Sequence, residues 1–439
     1  MEEGITMSFK ELYQSKKMDA DQALNLIRSG DRVVVGHACA EPSYLLDVLT
    51  EKAEQYENVE IVHMVAMGKA GYCAPGMEKH FRHNSLFVGG STRKAVAEGR
   101  GDFTPCFFSE IPKLFKNGSL PVDAALIQTA PPDENGNLSL GISVDYTLQA
   151  AKSAKTVIVQ VNPQMPVTFG GAIHISDVTA VVEHDAPLLT LEPPVIGDVE
   201  LAIGANCAGL IRDGDTLQLG IGAIPDAVLR FLGDKKDLGI HSEMFSDGVV
   251  ELAEAGVITN RLKKTNPGKY VASFLMGTRK LYDFVDGNPD VAMLPVDYVN
   301  NPVEVMKEDN IVSVNSCVQI DLMGQAASES VGLTQISGVG GQVDFVRGAA
   351  MAANGRSILA FPSTAAKGKI SKIVPLLDEG AAVTTSRNDI DYAVTEYGIA
   401  KLKGRTLRQR ALALIEIAHP DFRDGLRKVF EERFPGRRP

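Results

Sequence analysis

The chain carries one long internal repeat. Ile27–Leu46, IRSGDRVVVGHACAEPSYLL, and Ile211–Leu229, IRDGDTLQLGIGAIPDAVL, align with a single gap before the proline. Each copy reads as a Gly-Asp turn, an apolar strand, a glycine turn and a helix opened by Pro, whose missing N–H costs nothing at that position. Gly36 and Gly220 are 184 residues apart, so a whole domain separates the two copies. A chain of 439 residues also exceeds the size at which one hydrophobic core keeps growing. More apolar runs follow each copy: NVEIVHMVAM, NSLFVGG, VDAALIQTA and KTVIVQVN in the first half, then YVASFLMG, VAMLPVD, IVSVNSCVQI, SILAFPS and AAVTTS in the second. Short, fully apolar runs suit parallel strands covered on both faces. The expected fold is α/β, with two similar open α/β domains related by internal duplication. LEPPVIGDVE, residues 191–200, with paired prolines, is the expected linker. That places one domain at 1–192 and the other at 193–439, with a frayed basic tail, RFPGRRP.

Charge narrows the partners. The net charge of −11 argues against broad contact with nucleic acid or anionic membrane, and the absence of Trp leaves little for base stacking. An anionic small molecule would need local cations or helix N-termini. No apolar run approaches 18 residues, and the N-terminus lacks the apolar segment of a signal peptide, so a cytoplasmic protein is expected. Met7 is an alternative start, and the first six residues carry nothing interpretable. The five cysteines are far apart and odd in number, which fits a reducing compartment; four sit among apolar or small residues, as buried small hydrophobes do.

The strongest chemical signal is LGIHSEMFSDG, residues 238–248, where Glu243 stands at the end of an apolar run in a Ser/Asp/Gly loop that opens a helix. An apolar strand ending in small polar residues delivers side chains to the crevice at the carboxyl edge of an α/β sheet. Most glutamates are solvated surface. The repeat changes that weighting, because aligning His63 with His241 puts Val65 opposite Glu243, so only the second half carries the carboxylate. One copy reads as packing and the other as chemistry.

Two glycine-rich segments accompany it. Gly220, Ile221, Gly222, Ala223 and Ile224 form a strand-to-helix turn whose free N–H groups suit a phosphate or oxyanion. Such turns are common in α/β proteins, and this spacing fails the dinucleotide fingerprint GxGxxG. Ser337–Gly348, SGVGGQVDFVRG, lets backbone approach a ligand, with the N–H of Gly340 or Gly341 free to stabilise an oxyanion; a tight strand-to-helix loop is the alternative. Lys367, in FPSTAAKGKISK, is either surface or a point charge for a phosphate. Asn315, Gln319 and Asp321 form another strand-edge group that can line a pocket, whereas Ser386, Arg387 and Asp389 read as a structural turn. The histidines show no HxxxH or HExxH spacing, so no metal site is expected, and no GxSxG elbow is present.

Taken together, LQLGIGAIPDAVL, LGIHSEMFSDGVVELAEAGV, SGVGGQVDFVRGA and AAVTTSRNDIDYAVTEYGIA resemble the acetyl-CoA hydrolase/transferase family of class I coenzyme A transferases. The likeness is nearest to its 4-hydroxybutyrate and butyryl-CoA:acetate branches. It continues through VDAALIQTAPPDENGNLSLGISVDY and QVNPQMPVTFG, and so covers nearly the whole chain. The resemblance implies a two-domain α/β enzyme with its glutamate at the domain interface. It also implies a ping-pong transfer of coenzyme A between acyl-CoA and short carboxylates, no permanently bound cofactor, and a homodimer or higher homo-oligomer. Glu243 then matches the glutamate that becomes a γ-glutamyl-CoA thioester, Gly220–Ile224 the coenzyme A segment, and Gly340 and Gly341 the glycines beside the thioester carbonyl. Lys367 and Val318 fall where relatives contact the coenzyme. Ser109, after Phe107 and Phe108, stands where some 4-hydroxybutyrate members carry His, which leaves butyrate, another short acyl group or a dicarboxylate such as itaconate open. Acyl-CoA hydrolysis is the alternative reaction.

Overall fold

The structure is a computed structural model that describes residues 7–436. The residues before Met7 and the last three of the basic tail lie outside the described residues. Two compact units are present, one formed by Met1–Leu191 and Ser273–Tyr298, the other by Glu192–Ala272 and Val299–Pro439. A single crossing near residue 192 does not describe this arrangement, because the chain returns to the first unit for Ser273–Tyr298. That return is carried by backbone contacts: Val144 N–H donates to the Ser273 carbonyl, Leu275 N–H to Ile142, and Met293 N–H to Phe169.

The first unit holds seven parallel strands: β1 (Arg32–Val35), β2 (Val59–His63), β3 (Phe81–Ser85), β4 (Gly101–Phe103), β5 (Ala124–Thr129), β6 (Thr156–Val161) and β7 (Ala180–Glu183). Their order is β4-β3-β2-β1-β5-β6-β7. All six residues of β5 are buried, which explains why it lacks polar alternation: helices and loops cover both of its faces. The third strand lies earlier than NSLFVGG suggests. Phe81 pairs in register with Val59, and the strand ends at Ser85; Leu86 and Val88 are buried in the loop beyond it. Burial, not pairing, accounts for their apolar character.

The second unit repeats the design with β8 (Thr216–Leu219), β9 (Gly239–Ile240), β10 (Ile311–Asn315), β11 (Arg356–Ala360), β12 (Tyr392–Thr395) and β13 (Gly398–Lys401) in the order β9-β8-β10-β11-β12-β13. In both units the strand of the sequence repeat lies between the strand that follows it and a later one: β1 between β2 and β5, and β8 between β9 and β10. The duplication read from sequence is thus a duplication of topology. Within this sheet, among the described residues, only β12 and β13 run antiparallel, as a hairpin at its edge. AAVTTS forms no strand; its Val383 is exposed, and only Thr385 makes a bridge, to Ala326. The long run IVSVNSCVQI breaks into β10 and a separate short strand, Gln319–Asp321.

Chain direction across each sheet reverses beside the repeated strand, and ligands of open α/β folds bind outside the carboxyl ends of strands at such a switch point. In the second unit that point lies between β8 and β10, where Gly220 and Asn315 are found. The cysteines behave as small hydrophobes: Cys39, Cys73, Cys207 and Cys317 are buried, and burial raises all four thiols, that of Cys39 to about 11 and the others to about 12. Among the described residues no helix is long and apolar enough to cross a membrane.

Candidate active site

Glu243 lies in the bend between β9 and helix α1 (Asp247–Glu254), and it is partly buried. This is the strand-end loop expected from the sequence. β9 is only two residues long, so neighbouring groups must hold the loop. Gly239 and His241 donate their N–H groups to Asp215 and Leu217 on the β8 side. On the opposite side Leu238 bridges Ile258 and His241 bridges Val271, and at Ile240 between them the Asn260 side chain accepts from its N–H at 2.8 Å while Lys263 Nζ donates to its carbonyl at 2.7 Å. Lys263 also donates to the Lys269 carbonyl at 2.7 Å. It is buried, and burial pulls its ammonium down to about 7 against the opposing pull of Glu308.

Ser242, also buried, staples the loop to the end of β8. Its hydroxyl donates to the Leu219 carbonyl at 3.0 Å and accepts from the Leu219 N–H at 3.2 Å. Leu219 immediately precedes Gly220. Gly222 has φ +111°, a conformation in which a side chain is strained, and it opens helix α2 (Ala223–Arg230). Asp226 in that helix accepts from Ser246 Oγ at 3.0 Å, and burial raises its carboxyl despite that bond. The Gly220–Ile224 turn and the Glu243 loop are therefore stitched side by side at both ends. Ile221 is the exposed member of the turn.

The carboxylate itself is met from two directions. Asn300 Nδ2 donates to Glu243 Oε2 at 2.7 Å, and Asn300 is fully buried. On another side stands Gly341, at the start of helix α3 (Gln342–Met351), where an added Cβ would lie 2.0 Å from Glu243 Oε2 and 2.3 Å from Asn300 Nδ2. Two glycines here have separate reasons. Gly340 has φ +55°, which a side chain tolerates poorly; Gly341 has φ −92°, which any residue adopts, and is glycine because the carboxylate occupies the space. Backbone approaches the carboxylate, which suits N–H groups aimed at an oxyanion.

The structure brings Glu243, the Gly220–Ile224 turn and Gly340–Gly341 together with Asn300, which the sequence reading missed. A weak signal was available: Asn301 caps the helix begun by Pro302, marking VNNP as a helix start, but nothing in the sequence aims Asn300 at a residue 57 positions away. Val318 and Lys367 make no hydrogen bond to this cluster among the described residues. Val318 is half-buried, with its N–H bonded to the Ala327 carbonyl, and Lys367 is exposed at the tip of the hairpin Thr364–Ala365/Ile370–Ser371, with φ +57°. Asn315 bonds Gln218 and Ser313, and Asp321 accepts from Met323 and Gln325, so these side chains are tied up within the fold.

The profile of the acetyl-CoA hydrolase/transferase N-terminal domain matches residues 1–191, and that of the C-terminal domain of the same family matches residues 277–430. The chain belongs to the acetyl-CoA hydrolase/transferase family. This family member is 62% identical to a 4-hydroxybutyrate coenzyme A transferase of Clostridium kluyveri, over 98% of this chain and 100% of that one. It is 47% identical to a succinyl-CoA:acetate/propanoyl-CoA:succinate CoA transferase of Fasciola hepatica, over 94% of this chain and 87% of that one. A crystal structure of a 4-hydroxybutyrate CoA-transferase from Porphyromonas gingivalis superposes with a TM-score of 0.84 at 45% identity, covering 97% of this chain and 100% of that one. As a member of this family the chain is an enzyme of the CoA-transferase type.

The titration of its buried histidines gives this family member a defined acid sensitivity. Burial drives His63 well below its ordinary value, and His83 and His241 down to about 4. In the unfolded chain each binds its proton near 6.5, so between those values the unfolded state holds more protons and folding opposes protonation. Stability is complete above about 6.5 and falls as pH drops toward 4, by about 1.4 kcal/mol per pH unit per histidine. Urea midpoints at pH 7.5, 6 and 5 should descend accordingly; a flat series over that range would show that these rings take up protons in the fold as readily as in the unfolded chain.

Proposed function

We propose that the protein is an acyl-CoA:carboxylate CoA-transferase that moves coenzyme A between short-chain acids, 4-hydroxybutyryl- or butyryl-CoA and acetate, through a γ-glutamyl-CoA thioester on Glu243. The observation that carries this reading is the carboxylate held by the Asn300 amide at 2.7 Å against a glycine with no room for a Cβ. The 62% identical relative named for 4-hydroxybutyrate supports the acid class.

The chemistry follows from a positioned carboxylate. Glu243 attacks the thioester carbonyl of acyl-CoA, forming an acyl-glutamyl anhydride and releasing CoA thiolate. The thiolate attacks the glutamyl γ-carbonyl, frees the first acid and leaves the enzyme thioester; an incoming carboxylate reverses both steps. The exchange is nearly isoenergetic, so as written it uses neither ATP nor a resident cofactor. Each attack places negative charge on a carbonyl oxygen, for which the N–H groups of the Gly340–Gly341 turn and the Asn300 amide are donors. The Gly220–Ile224 turn, at the start of a helix, is assigned to coenzyme A, and Val318 and Lys367 to its outer parts.

The test is intact-mass analysis after incubation with acetyl-CoA or butyryl-CoA and no acceptor. An adduct of coenzyme A mass on the peptide bearing Glu243 is expected, and an unmodified chain under conditions of full turnover would sink the mechanism. Rapid release of free thiol without acceptor would make the protein a hydrolase instead. Because a 47% identical relative is named for succinate, succinate and itaconate belong beside acetate, butyrate and 4-hydroxybutyrate in the acceptor panel.

A further inference from the structure

His241 stands two residues ahead of Glu243, and its side chain is fully buried. Its Nε2 lies 2.8 Å from the carbonyl oxygen of Val299. A carbonyl only accepts, so the ring carries its proton on Nε2 and donates it there. The next residue, Asn300, turns its amide back onto Glu243 at 2.7 Å. Two segments distant in sequence are thus joined by two rungs, 241 to 299 and 243 to 300. The imidazole also meets Phe345 edge to face, with ring centroids 6.3 Å apart at 70°. Phe345 is fully buried in the helix that begins beside Gly341, the glycine against which Glu243 lies. One ring therefore reaches all three parts of the site.

We propose that His241 is a positioning residue that sets the geometry among Glu243, the Asn300 amide and the Gly340–Gly341 turn. It acts through Val299 and Phe345, not on the reacting atoms, and the inference rests on the reading of Glu243 as nucleophile. Its physical basis is that the two rungs, 241 to 299 and 243 to 300, link the same two short segments, so that a shift at the first is passed to the second. Ser242 ties this loop to Leu219 and Val271, on the sheet side, whereas the Nε2 donor ties it to Val299, the residue before the Asn300 whose amide holds Glu243. A displacement of about 1 Å at a reacting group typically costs about 10²-fold in rate.

The experiment compares the full-length enzyme with His241→Phe, which keeps a ring against Phe345 but removes the donor, and His241→Gln, which restores an N–H donor. Turnover, KM for acyl-CoA and the single-turnover rate of coenzyme A adduct formation are measured on folded protein. His241→Phe is expected to lower kcat and the adduct rate by about 10²-fold with KM changed less than about threefold, and His241→Gln to recover at least about tenfold of that loss. A general loss of structure would not produce that split or that rescue. Wild-type rates in His241→Phe, a parallel change of kcat and KM, or a folded His241→Gln no better than His241→Phe would each overturn the proposal. If His241→Phe does not fold, His241→Gln decides: an adduct rate within about tenfold of wild type supports it, and a loss near 10²-fold overturns it. Absence of any adduct in the wild type defeats the nucleophile reading and this inference with it, whereas an adduct formed at equal rate in wild type and His241→Phe defeats this inference alone.

Discussion

Glu243→Gln is expected to reduce transfer of coenzyme A by roughly 10⁴-fold or more while leaving the fold unchanged, as removal of a covalent nucleophile does elsewhere. The amide is nearly isosteric with the carboxylate, and its oxygen can still accept from Asn300 Nδ2, where the carboxylate now sits at 2.7 Å. A steady-state transfer assay beside a melting curve decides the matter. Near-wild-type transfer with an unshifted melting temperature would move the nucleophile elsewhere. Glu243→Asp is the graded companion: one lost methylene withdraws the carboxylate by roughly 1.5 Å, and a loss of about 10²-fold is expected.

Gly341→Ala should produce the second-largest loss, for a steric reason. The backbone at 341, with φ −92°, accepts alanine without strain, so folding should be little affected. The new methyl group would, however, lie 2.0 Å from Glu243 Oε2 and 2.3 Å from Asn300 Nδ2, and both must retreat by about an ångström to reach contact distance. A fall of about 10²-fold in kcat is expected, with the melting temperature nearly preserved. Gly340→Ala is the contrasting case. There φ is +55°, so the substitution should act on stability by about 1 kcal/mol, because the left-handed backbone, not the carboxylate, demands glycine. Equal losses of activity from both variants, each in proportion to lost stability, would count against a carboxylate seated on Gly341.

The two glycines show how far a sequence can be read. Their clustering, visible without coordinates, allowed two readings, a close approach of backbone to another group or a tight strand-to-helix loop. Why each is a glycine was not visible, since one reason is a dihedral angle and the other a side chain brought from about a hundred residues earlier in the chain. The third strand illustrates a different limit. NSLFVGG and FRHNS overlap at Asn84 and Ser85 and both become largely buried, so hydrophobicity alone does not say which of them pairs; the register against β2 selects FRHNS. AAVTTS is the converse, a β-like composition that pairs through a single bridge, Thr385 to Ala326, and leaves Val383 exposed.

By itself the sequence determined the duplicated α/β plan, because a strand, a glycine turn and a Pro-opened helix repeated at domain spacing admit few other folds. It also determined the position of Glu243, because a strand end followed by a helix start puts its loop at the carboxyl edge of the sheet. Tertiary structure alone decided what surrounds that carboxylate. Asn300 meets it from 57 residues away, His241 grips Val299, and Asn260 and Lys263 take up the backbone of Ile240. The physical reason is that local pattern encodes only which face of an element is apolar and where the element stops. The partner of a buried polar group is set by which distant segments fold back onto it, and no periodicity in either segment records that meeting.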